Sequence, residues 1–198
     1  MGFDDPNRPG LLPAGRAALL PAVHTPDPHI PPGPVFLALG GNLGDVARSF
    51  RIALDALPGL GLATVLGVAP AYRTAPVGPE DQPDYLNSVA MVSPKVPPAA
   101  LLAGLHQVER EAGRDRATER RWGPRPLDLD LLSWGSLVEP TGPPQLPHPR
   151  LAYRFFVLVP WADVAPAYVV PGHGATVASL LDALRRRDPT GLELVRRA

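Results

Sequence analysis

The chain has 198 residues, 45% of them hydrophobic, enough for one domain with a core and a tail. Nineteen basic and nineteen acidic residues leave no net charge, so no global field draws the chain to nucleic acid or to an acidic membrane, and any anion must be bound locally. There is no cysteine, which excludes disulfides, zinc thiolates and cysteine catalysis, and no apolar run reaches the ~18–20 residues of a membrane span; the expectation is a cytoplasmic protein.

Residues 1–34 hold nine of the 28 prolines, mixed with Gly, Asp and short Leu/Ala runs that no regular period fits. They read as a disordered or polyproline-like tail, and residues 35–198 as one folded domain. The apolar run Val35 to Leu39 predicts a buried strand, ended by the turn Gly40-Gly41-Asn42-Leu43-Gly44. Asp45 is a candidate N-cap for a helix whose stripe is Val46, Phe50, Ala53, Leu54 and Leu57, stopped at Pro58-Gly59. The Gly-rich turn lacks the Gly-Lys-Ser/Thr ending of a P-loop and the full G-x-G-x-x-G pattern, so it reads as structural.

Residues 62–73 predict a second strand, with Pro70 favouring an edge or a bulge. The stiff polar loop 74–84 suits a segment that covers a ligand. Tyr85 to Val92 alternates as a strand, with Tyr85, Asn87 and Val89 on one face. A ring and an amide two residues apart can stack on a flat heterocycle and bond its edge; equally, they are a half-buried Tyr beside a surface Asn.

Pro97 to Ala112 is helical in pattern, with Leu101, Leu105, Val108 and Ala112 toward the core and Gly113 as the C′ residue. His106 reads as solvated. Between Glu109 and Arg125 lie six arginines and four acids, a mixture that is usually a solvated face. Arg114, Arg116, Arg121 and Arg125 stand out because they precede Leu127-Asp128-Leu129-Asp130-Leu131. On a strand this alternation sends the leucines into a core and both carboxylates to the other face. Two adjacent carboxylates mark either a solvated edge strand or a shared divalent cation, and the arginines ahead of them suit a polyphosphate with Mg²⁺. Leu137-Val138 reads as a short return strand, Pro140 to Pro149 as irregular, and the apolar run Phe155 to Val159 as helix or strand. A last helix carries Val177, Leu180, Leu181 and Leu184, capped by Thr176 and closed by Arg185 to Arg187.

Four segments, LALGGNLGD (37–45), YRTAPVGPEDQPDYLN (72–87), GRDRATERRWGPRPLDLDLL (113–132) and LPHPRLAYRFFVL (146–158), resemble 6-hydroxymethyl-7,8-dihydropterin pyrophosphokinases of folate biosynthesis. They occur in the family's order, and the likeness covers about residues 35–170. It implies an α+β ferredoxin-like sandwich, an antiparallel-rich sheet with helices packed on it. It further implies an ATP-dependent transferase in which ATP gives its pyrophosphoryl group to the pterin hydroxymethyl and releases AMP. Residue by residue, Asp128 and Asp130 match two carboxylates that hold a pair of Mg²⁺ ions, and Arg114 and Arg125 match catalytic positions of the triphosphate site. Glu109, Arg116, Arg121, His148 and Arg154 match ATP-site positions, and Leu131 is grouped with them. Asn87 matches the amide that reads the pterin edge, Tyr85 and Phe156 the two rings around it. Thr74 and Val77 match its loop, and Trp122 the ring that closes over it. Pro126 departs from the family's usual Thr, and the stretch between Arg116 and Trp122 is one residue longer. The implied partners are ATP and the pterin, with no nucleic acid and no membrane; association with other folate-pathway enzymes is left open. The competing reading is a non-catalytic pterin- or nucleotide-binding module of the same fold.

Overall fold

The computed structural model describes residues 29–76, 81–117, 119–120 and 123–198. Six strands form one sheet in the order β5 (Asp128–Trp134), β1 (Val35–Gly41), β4 (Tyr85–Pro94), β3 (Tyr72–Thr74) and β8 (Val195–Arg197), with β2 (Ala63–Val68) also pairing β4. In chain order the core elements are β1 (Val35–Gly41), α1 (Val46–Gly59), β2 (Ala63–Val68), β3 (Tyr72–Thr74), β4 (Tyr85–Pro94), α2 (Pro98–Glu111) and β5 (Asp128–Trp134). Every pairing is antiparallel. Taking β2 and β3 as one interrupted strand, this is the βαββαβ plan of a ferredoxin-like sandwich.

The interruption has a local cause. Pro70 has no N–H to give to a ladder, and the chain is held there by its neighbours: Ala69 N donates to Val89 O at 2.8 Å and Ser88 Oγ to Ala69 O at 2.9 Å. The single strand expected over 62–73 is therefore two strands on the same side of β4.

The sheet is buried on both faces. Leu37, Leu39, Leu129 and Leu131 pack under α1 and α2, where Phe50, Leu57, Leu101 and Leu105 complete a core. Asp45 caps α1 as its sequence predicts, accepting from Arg48 N at 3.0 Å, although the helix carries Pro58 within its last turn and ends at Gly59. On the opposite face Phe36, Val89 and Leu132 pack against α3 (Phe155–Val164) and α4 (Val177–Arg187). The apolar run at 155–159 is thus helical; buried on almost every side, it shows no amphipathic period. Thr176 caps α4 by accepting from Ser179 N at 3.1 Å.

A hairpin of β6 (Val169–Val170) and β7 (Ala175–Thr176) and a final strand β8 (Val195–Arg197) complete the strands of the described residues. The return strand expected at 137–138 is absent; the pairing there is a single Glu139–Leu146 bridge. Ahead of β1, Ile30 packs against the core and Pro31 O accepts from Trp134 Nε1 at 2.7 Å. No helix among the described residues is long and apolar enough to cross a membrane.

Candidate active site

The register of the sheet lays out the site. Tyr72, Asn87, Gly40 and Asp128 are successive partners across β3, β4, β1 and β5, and Asp130 lies opposite Ala38. Directly paired residues share a face, so the amide of Asn87 and the carboxylate of Asp128 flank a glycine. Two inter-strand spacings, roughly 10 Å, separate them. With Gly40 and Ala38 beneath it, the floor of the cleft carries no bulk, and a cleft of about 360 Å³ opens above.

Its walls come from the connections. Leu127, Leu129 and Leu131 are buried on the α1–α2 side, which turns Asp128 and Asp130 toward the cleft. This corrects the grouping of Leu131 with the ATP-facing residues: a strand's period of two assigns it to the core. Thr74, Tyr85, Asn87 and Phe156 line the cleft together with Arg114, Arg116, Arg125, His148, Arg154 and the two carboxylates. Val77, Arg121 and Trp122 lie outside the described residues.

Asn87 donates from Nδ2 to Thr74 Oγ1 at 2.8 Å, which leaves its Oδ1 as the acceptor for a ligand edge. Tyr85 OH donates to Gly123 O at 2.8 Å, tying the ring to the loop ahead of β5. That loop is fixed by Asn42, a buried side chain that sequence reading left inside a structural turn. Asn42 Oδ1 accepts from Arg125 N at 2.8 Å, while its Nδ2 donates to Gln82 Oε1 at 3.1 Å and Pro83 O at 3.0 Å. One amide thus joins three loops around the cleft. The neighbouring Gly41 permits this approach, since a Cβ there would lie 2.8 Å from Pro126 O.

The arginines are held by acids. Glu109, fully buried at the end of α2, does not line the cleft; it accepts from Arg114 Nη1 and Arg116 Nη2, both at 2.7 Å, and from Leu129 N at 2.8 Å. One carboxylate therefore locks two arginines and the start of β5 together. Arg114 Nη1 also donates to Asp128, and Arg125 Nη1 donates to Asp128 Oδ2 at 3.1 Å. Burial works against the Arg114 charge, and the Asp128, Glu119 and Glu109 carboxylates more than offset it, so its pKa rises.

Asp130 has weaker support, with Arg154 Nη1 and His148 Nε2 each 3.9 Å from its Oδ2. Burial in the cleft and the Asp128 charge push its carboxyl up to about 6. Burial, with Arg154 and Arg150 nearby, pushes His148 down to about 4. Its Nδ1 accepts from Arg150 N at 3.1 Å, which leaves the proton of the neutral ring on Nε2, facing Asp130. Arg150, absent from the residues selected by sequence, also lines the cleft.

The Asp130 shift has a consequence for stability. A folded-state pKa of about 6, against an ordinary 3.8, favours the folded protein most at low pH, and that contribution is lost as pH rises through 6. In chelator and without ligands, Asp130→Asn is expected to raise the melting temperature near pH ~7.5 and to lose that advantage as pH falls through 6 toward ~4. A thermal melt series across this range checks it, and a variant that melts lower at the higher pH contradicts it.

Residues 36–166 match the family described as 7,8-dihydro-6-hydroxymethylpterin-pyrophosphokinase. The chain is similar to the 2-amino-4-hydroxy-6-hydroxymethyldihydropteridine pyrophosphokinase of Pseudomonas aeruginosa, 40% identical over 137 residues, which are 69% of this chain and 83% of that protein. It is likewise similar to the enzyme of that name from Haemophilus influenzae, 38% identical over 69% of this chain and 84% of the relative. In fold it resembles a crystal structure of Plasmodium falciparum HPPK-DHPS, wild type with pterin and p-hydroxybenzoate. That likeness has a TM-score of 0.61 at 12% identity, over 83% of this chain and 44% of that one, so this chain spans less than half of that protein. An extended match to the family over the segment that builds the cleft, together with relatives covered over most of their length, makes the chain a member of the 7,8-dihydro-6-hydroxymethylpterin-pyrophosphokinase family.

Proposed function

We propose that the cleft above Gly40 carries out the family's reaction with the residues described above: transfer of pyrophosphate from ATP to 6-hydroxymethyl-7,8-dihydropterin in folate biosynthesis, with release of AMP. The observation that carries the assignment is the row Asn87, Gly40, Asp128, which sets an amide that can read a heterocycle beside a carboxylate in a basic wall. Asn87 Oδ1 accepts from the N–H edge of the pterin, and Tyr85 and Phe156 cover its faces. Arg114, Arg116, Arg125 and Arg154 bind the phosphates. His148, neutral, donates from Nε2. Glu109 acts at one remove by holding Arg114 and Arg116 in place.

Asp128 and Asp130 suit Mg²⁺. Among the described residues no group of three or more His, Asp or Glu forms a closed cage, but this cation is commonly held by one or two carboxylates with the substrate phosphates. Burial first, and the Asp128 charge second, hold the Asp130 carboxyl up at about 6, and a cation bound beside it would offset both. When bound there, Mg²⁺ would neutralise phosphate charge and orient the reacting oxygens.

The attacking group is an alcohol and the electrophile is a phosphorus carrying negative oxygens, so charge is the main obstacle to reaction. In a loose transition state the hydroxyl keeps its proton until late, and a strong general base is not required. The site's task is then to align two substrates, supply positive charge and limit water. The cytoplasm is the compartment this reading implies.

The test is formation of AMP from ATP and 6-hydroxymethyl-7,8-dihydropterin with Mg²⁺. AMP made only when both substrates are present supports transfer. Binding of both substrates without AMP supports the non-catalytic binding module.

A further inference from the structure

Arg114 is surrounded by three carboxylates. Two of its five N–H groups, those on Nη1, go to Glu109 and Asp128. Its other edge, Nε and Nη2, is the side on which a guanidinium meets a phosphate in bidentate fashion. That edge is held by Glu119, whose Oε2 accepts from Nη2 at 2.9 Å and from Nε at 3.3 Å. The other oxygen of the same carboxylate lies 3.6 Å from Arg125 Nε. Glu119 thus spans two of the arginines assigned to ATP, and it lines the cleft.

The three acids on Arg114 are not equally fixed. Glu109 stands on α2 and is fully buried; Asp128 stands on β5 and is also held by Arg125. Glu119 stands between Ala112 and Leu127, where the described residues form neither helix nor strand, and its side chain is 17% exposed. Asp128 is the more exposed, at 26%, but it is anchored in β5; Glu119 alone of the three stands outside helix and strand, so its backbone resists displacement least.

We infer that Glu119 is a positioning residue that occupies the phosphate-docking edge of Arg114, and that ATP binds by exchanging its phosphate oxygens for this carboxylate. The inference rests on the reading of the cleft as an ATP site. It has a functional consequence on both sides of the reaction. Exchange keeps Arg114 and Arg125 oriented before the nucleotide arrives, and it lowers net affinity, because each ATP that binds must free an internal anion. The returning carboxylate then competes for the arginines as the nucleotide product leaves.

The test is Glu119→Gln, which keeps an acceptor of the same shape and removes its charge. Titration of the full chain with ATP and Mg²⁺ in the absence of pterin is expected to show a dissociation constant about tenfold lower than that of the unaltered protein. The KM for ATP is expected to fall in parallel, while the KM for the pterin stays the same and kcat does not rise. Glu111→Gln serves as the control, since Glu111 is an exposed acid bonded to Gln107, off the Arg114 cluster, and its loss should alter ATP affinity by less than about twofold. Equal tightening in both variants would reduce the effect to bulk charge and overturn the inference. Unchanged or weaker ATP binding in Glu119→Gln also overturns it, leaving Glu119 as a fixed brace of the arginines. If the unaltered protein binds no ATP, the reading of the cleft itself fails, a result distinct from either of these.

Discussion

Asp130→Ala is expected to abolish measurable AMP formation, lowering kcat by about 10³ or more, while pterin binding stays measurable. Its neighbourhood makes this the cleaner of the two carboxylate tests. Arg154, the nearest cation to Asp130 among the described residues, stands 3.9 Å away, so removal of Asp130 leaves the arginine cluster in place. Asp128, by contrast, is bonded to both Arg114 and Arg125, and Asp128→Ala removes a charge and releases two side chains at once. Turnover should be lost in both variants, but only Asp130→Ala reports on the carboxylate pair alone. Asn87, Tyr85 and Phe156 are untouched, and a direct titration with pterin verifies that their part of the cleft is intact. Full activity in Asp130→Ala would refute the assignment of this carboxylate to Mg²⁺.

The second large effect is on the fold. Glu109→Ala is expected to lower the unfolding free energy by roughly 3–5 kcal/mol, the scale for breaking a buried ion pair by removing one partner. Three groups lose their acceptor: Arg114, whose side chain is 4% exposed, Arg116, and the N–H of Leu129 inside β5. Glu109→Gln should cost less, because its amide oxygen still accepts from Leu129 N even though the charge is lost. Urea unfolding of the three proteins measures the order, and equal midpoints would show that the acid contributes no net stability. Activity should fall in both variants, since Arg114 and Arg116 lose their common anchor before any substrate is bound.

Much of this arrangement could be read from residues alone. The alternation Leu127 to Leu131 predicted a strand with its leucines inside and its carboxylates outside, because a period of two leaves little freedom once one face is buried. The caps Asp45 and Thr176, and the stripes of α1, α2 and α4, were equally local. Features set by tertiary contact were not legible. Glu109 sits in a run of mixed charges that reads as a solvated surface, and nothing nearby in sequence shows that Leu129 N and two arginines will enclose it. Asn42 reads as part of a turn because the two loops it ties to its own lie about forty and eighty residues away. The helix at 155–164 offered no polar face by which to recognise a period, and Pro160 obscured it further. β8 is three residues long and contains two arginines, so only its pairing with β3 identifies it as a strand. The resemblance to a known family links Tyr85, Asn87 and Phe156 to a pterin; spacing alone leaves a surface amide equally open.

In the proposed site, the glycine beneath the cleft bears on how far apart the two substrates would lie. Gly40 contributes no side chain to either of them, and the gap between Asn87 and Asp128 is measured by hydrogen-bonded backbone on both sides of it. Side chains at the rim can be exchanged, lengthened or recharged without altering that pitch. In the site proposed above, the sheet would work as a ruler: affinity could drift with the loops, while the span from the heterocycle to the phosphates would be graduated in units of strand spacing.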